Sequence, residues 1–583
     1  MDPNQIVLNT GYQDGLELDI AIIGAGVSGL YTGYRLLTED GSAGPRQNGS
    51  PRVQIFEMSD RVGGRLDSVV LPGMTIAGEL GGMRYMTSQQ IVTTLIETVF
   101  ADQLTHVDFP MGDPATHYFY MRRQRFRANS WAEAQSRGEK FETRYYLNPD
   151  DVGYSADQLF NKIVYDVLMA DPWVRATYGA KITNPQPYDY EFQLTAQDWD
   201  AIKPVLVYNF PGPYEGRLVN DMGFWNLIKD QVSEEGYQFL ADAGGYYSNT
   251  INWNAAEAFP YMVGDFSLSQ VAYRTIEGGY DQIADVLAEA FQKQPGAEIW
   301  GLNRLVCFQY APPQSQYRYQ LTIYNQTADS EWTVYANAIV LAMPRRSLEL
   351  LDQNNFFFGP DPMHPQTKLH KNIDSIIVEP AYKLLMGFTE PWWKEDFGAT
   401  AGESITDLPM RQCYYFGTDP ADSHSLFLAS YNDMSTVPFW SALERDPLYE
   451  PKATELASEA DVRRFASVQA PRAMVAEVME QVRELHGLQP NRIPDPYITY
   501  FKDWSEDPYG GGYHAWKARV AVKDVMPFMR QPYANEAIHI CGEAYSDQQG
   551  WVEGALCEAE KMLQEHFGLQ WPGWLPKDYY LGW

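Results

Sequence analysis

The sequence predicts an α/β fold with an added α+β part, assembled from stretches that lie far apart in the chain. Three observations carry this. LDIAIIGAGVSGLYTGYRLL (residues 18–37) is a short apolar run, Ile20 to Ile23, followed by glycines and a helical pattern in Leu30, Tyr34 and Leu37. VQIFEMSD (53–60) reads as a second apolar strand ending in an acid, which completes a β-α-β opening. AIHICGEAYSDQQGWVEGALCEAEKML (537–563) then returns to strand, turn and helix at the far end of the chain.

The remaining elements follow in order. The stretch from about 150 to 265 reads as helical, most clearly in YSADQLFNKIVYDVLMADPWV and MGFWNLIKDQVSEEGYQFLADAG. EGGYDQIADVLAEAF (277–291) is a turn leading into an amphipathic helix. RLVCFQY, YRYQLTIYN and ANAIVLAMP (336–344) are strand-like, and from 375 to 435 strands dominate in IIVEPAYKLLMGF, CYYFG and SLFLASYND. No internal repeat or low-complexity segment is present.

Bulk properties narrow the function. With 583 residues, two or three domains are expected. The 76 acidic residues against 44 basic ones give a strongly negative field, which argues against nucleic acid and anionic membranes as partners. The four cysteines (Cys307, Cys413, Cys541, Cys557) show no CxxC spacing, so neither a disulfide framework nor a zinc site is expected, and no other metal site is. No run approaches the roughly 20 apolar residues of a membrane span, and no signal peptide is visible. A soluble protein is expected, cytoplasmic by default.

Gly24, Gly26 and Gly29 form GxGxxG directly after a strand and at the start of a helix. The first permits the tight turn, the second admits a pyrophosphate to backbone N–H groups, and the third lets helix and strand pack closely. Val27 and Ser28 fall within the same turn. Glu57, followed by Met58, ends the second strand, where a carboxylate accepts from ribose hydroxyls and disfavours a 2′-phosphate. The long spacing from Gly29 to Glu57 is explained by a loop insertion, GSAGPRQNGSP (41–51). DRVGGR (60–65) brings a second glycine pair, including Gly64, and Arg65 within reach of the same phosphates. A nicotinamide enzyme has no general need of that loop. Near the C-terminus, Gly542 and Glu543 follow an apolar strand, where the acid is placed to accept from a ribitol hydroxyl. A helix starting near Gly550 points its N–H groups at flavin carbonyl oxygens. Three segments in this order point to FAD.

GAGVSGL, DRVGGR, ELGGMRY, the Lys383 segment and the GE…GWVEGA end resemble the flavin-containing amine oxidase family, and within it the L-amino-acid oxidases. The resemblance runs from residue 18 to about 565. It implies a discontinuous Rossmann-like FAD-binding domain (17–72, 268–345 and 525–570) and a mixed-sheet substrate domain (73–150 and 346–524). An inserted helical domain (151–267) shapes the entrance. FAD contacts are expected at Gly81, Gly82, Met83, Arg84, Val306, Trp551 and Val552, besides the residues already named.

In those oxidases an arginine after a Gly/Met pair binds the substrate α-carboxylate, and Arg84 in GGMRY matches it. The alternative is an ion pair within the fold or with the FAD phosphates. Tyr431 resembles the tyrosine that adds a second hydrogen bond to the carboxylate; the other reading is an interior strand tyrosine. Lys383, costly within an apolar strand, matches the lysine that holds a water beside the flavin and serves the reaction with dioxygen. Trp551 and Trp516 are expected as walls of an aromatic cage, although either could be core. Gly512 stands where monoamine oxidases carry the cysteine that tethers FAD, so the cofactor is expected to be non-covalent. His514 is a weak candidate for a general base.

The resemblance implies oxidation of an L-amino acid to a 2-oxo acid, ammonia and hydrogen peroxide by dioxygen. Three alternatives stand beside it: an amino-acid 2-monooxygenase releasing the amide, an amine or polyamine oxidase, and a flavin-binding protein without turnover. The expected partners are a small-molecule L-amino acid and dioxygen, with the chain forming a homo-oligomer, a dimer. The preferred side chain is open: negative charge suits a cationic substrate and the many aromatics an apolar one.

Overall fold

The computed structural model describes residues 6–38, 51–244, 252–266, 272–352, 368–433, 436–452 and 464–583. Apart from Pro51, the loop insertion expected at 41–51 lies outside the described residues.

Strand β1 (Leu16–Ile23) sits inside a seven-stranded sheet, flanked in parallel by β2 (Val53–Phe56) and by the long strand Ser330–Leu341. Ile538–Ile540 adds a further parallel strand beside Ser330–Leu341. Its apolar side chains are buried on both faces, so β1 reads as a continuous apolar run rather than an alternating one. Asn303–Tyr310 and Tyr319–Asn325 extend the sheet as an antiparallel meander. Helix α1 (Val27–Thr38), the helix Gln282–Gln292 and the helix Val552–Phe567 share one core on this sheet. α1 approaches Gln282–Gln292 so closely that a Cβ on Gly33 would lie 2.8 Å from the Phe291 ring.

Strand register explains where the site forms. Ile23 pairs with Phe56 and with Leu341, and Leu341 with Ile540, so four parallel strands end level with one another. Whatever follows those ends gathers at one sheet edge, where ligands bind in open α/β sheets.

A second seven-stranded sheet is mostly antiparallel; in it Ala381–Phe388 lies between Ser425–Asp433 and the edge strand Ile498–Asp503. All eight residues of Ala381–Phe388 are buried. A separate ribbon pairs Ile376–Glu379 with Tyr513–Trp516. The strand Tyr273–Ile276 joins Tyr85–Met86 and His106–Asp108 in a three-stranded sheet, which sets Tyr273 opposite Met86 and beside Arg84.

Between residues 155 and 266 helices predominate, among them Ala156–Ala170, Phe224–Gln231, Glu234–Ala243 and Ala255–Phe266, with one hairpin (Ile182–Gln186, Asp189–Phe192) that the sequence pattern did not suggest. Ser155 and Gln158 close a capping box at the start of Ala156–Ala170. Leu159, Ile163 and Val167 bury the stripe below it, each contributing about 1.5–3 kcal/mol. Among the described residues no helix is long and apolar enough to cross a membrane.

Candidate active site

The four level strand ends open into one cavity with about 2080 Å³ of atom-free space, its mouth included. Gly24, Gly26, Glu57, Met58, Ala342, Met343, Gly542 and Glu543, all from just beyond those ends, line it.

At the dinucleotide end three glycine loops stack. Gly24 has φ +106°, and a Cβ there would lie 2.4 Å from the Ala342 carbonyl oxygen. A Cβ on Gly81 would lie 2.0 Å from the Arg65 carbonyl oxygen, so only hydrogen fits where the third loop crosses the second. Val27 and Ser28, at the positive end of α1, line the cavity. The Glu57 carboxylate accepts from the N–H of Ala25 at 2.8 Å and from the N–H and hydroxyl of Ser59, each at 2.8 Å, which fixes it at the cavity edge. A bare glycine cradle, a helix N-terminus and a fixed acid beyond the second strand are the parts a dinucleotide needs, and they fit FAD.

Arg65 and Glu543 both line the cavity, but they hold one another. The Arg65 guanidinium lies 2.8 Å from the Glu543 carboxylate and donates to the Gly512 carbonyl at 2.8 Å. Glu543 also accepts from the N–H groups of His514 (3.0 Å) and Gly550 (2.8 Å), and its other oxygen lies 2.9 Å from His514 Nδ1. Burial alone would raise this carboxyl; Arg65, His514 and the Gly550 N–H outweigh it and hold it near about 2. Burial likewise pushes His514 down against the pull of Glu543. His514 therefore serves the Glu543 network and is not itself a lining residue.

The same cavity is lined by the predicted substrate residues Arg84, Lys383, Tyr431 and Trp551, with Gly82, Met83, Gly550 and Val552. The Arg84 guanidinium carbon lies 4.2 Å from the Tyr273 ring centre and 5.1 Å from that of Phe109, and Nη1 contacts Met111 Sδ at 3.3 Å. The register pairs Lys383 with Tyr431, and Lys383 Nζ lies 4.5 Å from the Tyr431 ring centre. It donates to the carbonyls of Gly81 (2.6 Å) and Glu79 (3.2 Å). Burial lowers the Lys383 amine to about 7; Glu79 opposes this and the nearby Arg84 adds to it. The Glu79 carboxyl accepts from the Tyr280 N–H (2.8 Å) and the Ser68 hydroxyl (2.7 Å), and burial pushes it up.

Besides His514, three predicted residues stand apart from the cavity. Trp516 is core: it is 2 % exposed and donates its indole N–H to the Ser546 carbonyl at 3.1 Å. In a strand alternate residues face opposite ways, and it is Tyr513 that turns inward. Tyr513 lines the cavity, as Trp551 does, and lies close enough to Gly550 that a Cβ there would sit 3.4 Å from its ring. Gly29 underlies the cradle, since its Cβ would meet the Gly24 carbonyl at 2.0 Å. Val306 falls at a bulge between Leu305 and Cys307, and the lining is made by Arg304 and Leu305 instead. The sequence reading missed Tyr513, Tyr261, Tyr414 and Trp504, all at the cavity wall. Alternation in YGGGYHAW sets Tyr513 and Trp516 on opposite faces but does not say which face meets the cavity.

A dinucleotide cradle that opens into an aromatic chamber holding an arginine and a buried lysine defines an FAD-dependent oxidoreductase. The chain belongs to the flavin containing amine oxidoreductase family, whose family model matches residues 27–561. It is 24% identical to aplysianin-A of Aplysia kurodai over 94% of this chain and 90% of that protein. It is 23% identical to L-amino-acid oxidase 4 of Hebeloma cylindrosporum over 96% of this chain and 84% of that protein. Putrescine oxidase bound to putrescine shares the fold, with a TM-score of 0.58 at 17% identity over 95% of this chain and 100% of that one.

Proposed function

We propose that the protein oxidises L-amino acids with dioxygen and water to 2-oxo acids, ammonia and hydrogen peroxide. The observation that carries this is Arg84, a guanidinium stacked on Tyr273 in the chamber that holds Lys383, Tyr431 and Trp551. A planar guanidinium matches a carboxylate with two parallel hydrogen bonds, whereas a simple amine substrate offers it no partner. Relatives named L-amino-acid oxidases, from Hebeloma cylindrosporum and Demansia vestigiata, support the reading.

Arg84 and the Tyr431 hydroxyl hold the substrate carboxylate and so fix the plane of the α-carbon. Trp551 and Tyr513 exclude water and hold the amine in its deprotonated form. The cradle of Gly24, Gly26 and Glu57 would hold FAD, which would supply a hydride acceptor for the α-carbon and a route for its electrons to dioxygen. Lys383 donates to two carbonyls and keeps a third N–H for a water in the chamber. With its amine near about 7 it carries or releases a proton at neutral pH. The imino acid leaves and is hydrolysed by water.

Purified holoenzyme should be given L- and D-amino acids and putrescine, with oxo acid, ammonia, peroxide and amide quantified. Oxo acid, ammonia and peroxide in equal amounts from L-amino acids alone support the reading. Amide in place of oxo acid, or turnover of putrescine only, contradicts it.

A further inference from the structure

We propose that Glu379 and Asp433 form the side-chain subsite of this chamber and select L-amino acids bearing a cationic side chain, an ammonium or a guanidinium. The inference rests on the reading of the chamber as an L-amino-acid site and names its substrate class.

Two strands bring the carboxylates to the chamber. In the antiparallel ribbon Glu379 is the cross-strand partner of Tyr513, and such partners project from the same face. The Tyr513 side chain lines the cavity, so Glu379 stands on the cavity side of the ribbon. Asp433 is the partner of Ala381 and Tyr431 that of Lys383; Ala381, Lys383 and Tyr431 all line the cavity. Asp433 lies two residues beyond Tyr431 and shares its face. Asp433 disfavours ionisation of Glu379, and both disfavour ionisation of the Tyr513 hydroxyl, so the two acids lie close to each other and to this lining residue, although neither is itself a lining residue.

The described residues around them leave Glu379 without a hydrogen-bond partner. Glu379 is 0% exposed and Asp433 1%. Asp433 has Arg411, whose Nε lies 3.1 Å from Oδ1. Neither carboxylate oxygen of Glu379 accepts a hydrogen bond from any described residue. Two carboxylates share one guanidinium, and burying a carboxylate without a donor is expensive. Burial accordingly pushes Glu379 up, with Asp433 adding to that and Arg411 opposing it. A cation arriving from the chamber supplies the missing charge and donors.

The chamber suits such a ligand in length and lining. Tyr431, assigned to the α-carboxylate, and Asp433 are separated by about 7 Å along the strand, comparable to an extended lysine side chain. The rings of Tyr513, Tyr261 and Tyr431 provide faces for an alkylammonium or guanidinium on the way. A net charge of −32 raises the local concentration of cationic substrates.

The test compares kcat/KM of the holoenzyme for L-lysine with that for L-norleucine, which keeps the carbon chain and lacks the ammonium, and for L-arginine with that for L-citrulline. The wild-type ratios are expected to exceed about 30, the fold-change typical of a paired buried charge. In Glu379→Gln the lysine-to-norleucine ratio should fall at least about tenfold, with flavin absorbance and thermal melting showing that the variant is folded and loaded. A wild-type ratio near one, or an unchanged ratio in loaded Glu379→Gln, overturns the inference and leaves L-amino-acid oxidation standing. If no L-amino acid is oxidised, cationic or neutral, both readings fall.

Discussion

Lys383 and Tyr431 face each other across two strands of the substrate sheet, with the Lys383 nitrogen 4.5 Å from the tyrosine ring centre. The pairing places an amine that is half-charged near neutrality beside the residue assigned to the substrate carboxylate. One strand register therefore ties the oxidative half of the reaction to the binding half.

The Lys383 amine, lowered by burial from 10.5 to about 7, loses its proton as pH rises through about 7. If the ammonium serves the reaction with dioxygen, the rate of flavin reoxidation falls over that window. Stopped-flow reoxidation across pH 6–9 should show the transition in wild type and not in Lys383→Met, whose rate is expected to be lower by about tenfold or more.

Glu543 makes a pH-dependent contribution to stability. Its folded pKa lies near about 2, below the ordinary 4.5, so the unfolded state binds the proton more tightly. The contribution is present above pH 4.5, on the order of 3 kcal/mol, and is lost as pH falls from 4.5 towards about 2. Urea titrations at pH 7 and pH 3 should show this loss in wild type and a smaller one in Glu543→Gln.

Gly81→Ala should cost the cofactor. Its Cβ would lie 2.0 Å from the backbone oxygen of Arg65, which no side-chain rotation relieves. The ratio of flavin to protein absorbance after purification is expected to drop well below that of wild type.

Tyr513 and Trp516 separate a chamber wall from core. Tyr513→Ala should raise KM for the amino acid, whereas Trp516→Phe should leave KM unchanged and lower the melting temperature. Truncating Trp516 to alanine would cost about 3–5 kcal/mol. Steady-state kinetics alongside thermal melts distinguish the two.

Much of the fold was legible because its signals are local. The GxGxxG turn, the acid in VQIFE and the strand-to-helix passage into GWVEGA each announce themselves within a dozen residues. Arg84, Lys383, Tyr431 and Trp551 were found as residues and proved to share one cavity. What stayed hidden depended on register. Whether Tyr513 or Trp516 turns inward, and that Val306 sits at a bulge, are set by strand pairing, since a slip of one residue reverses every side chain. The Arg65–Glu543 pair joins residues 478 positions apart, and no spacing within the sequence announces it.

The most direct measurement is anaerobic bleaching of the flavin by L-amino acids, cationic and neutral, in wild type and in Arg84→Ala. Losing the guanidinium should cost about 2–5 kcal/mol, roughly 30-fold or more in kcat/KM or reduction rate. The account predicts rapid bleaching in wild type and that loss in a variant still loaded with FAD. Equal bleaching of both proteins by the same L-amino acid would contradict it.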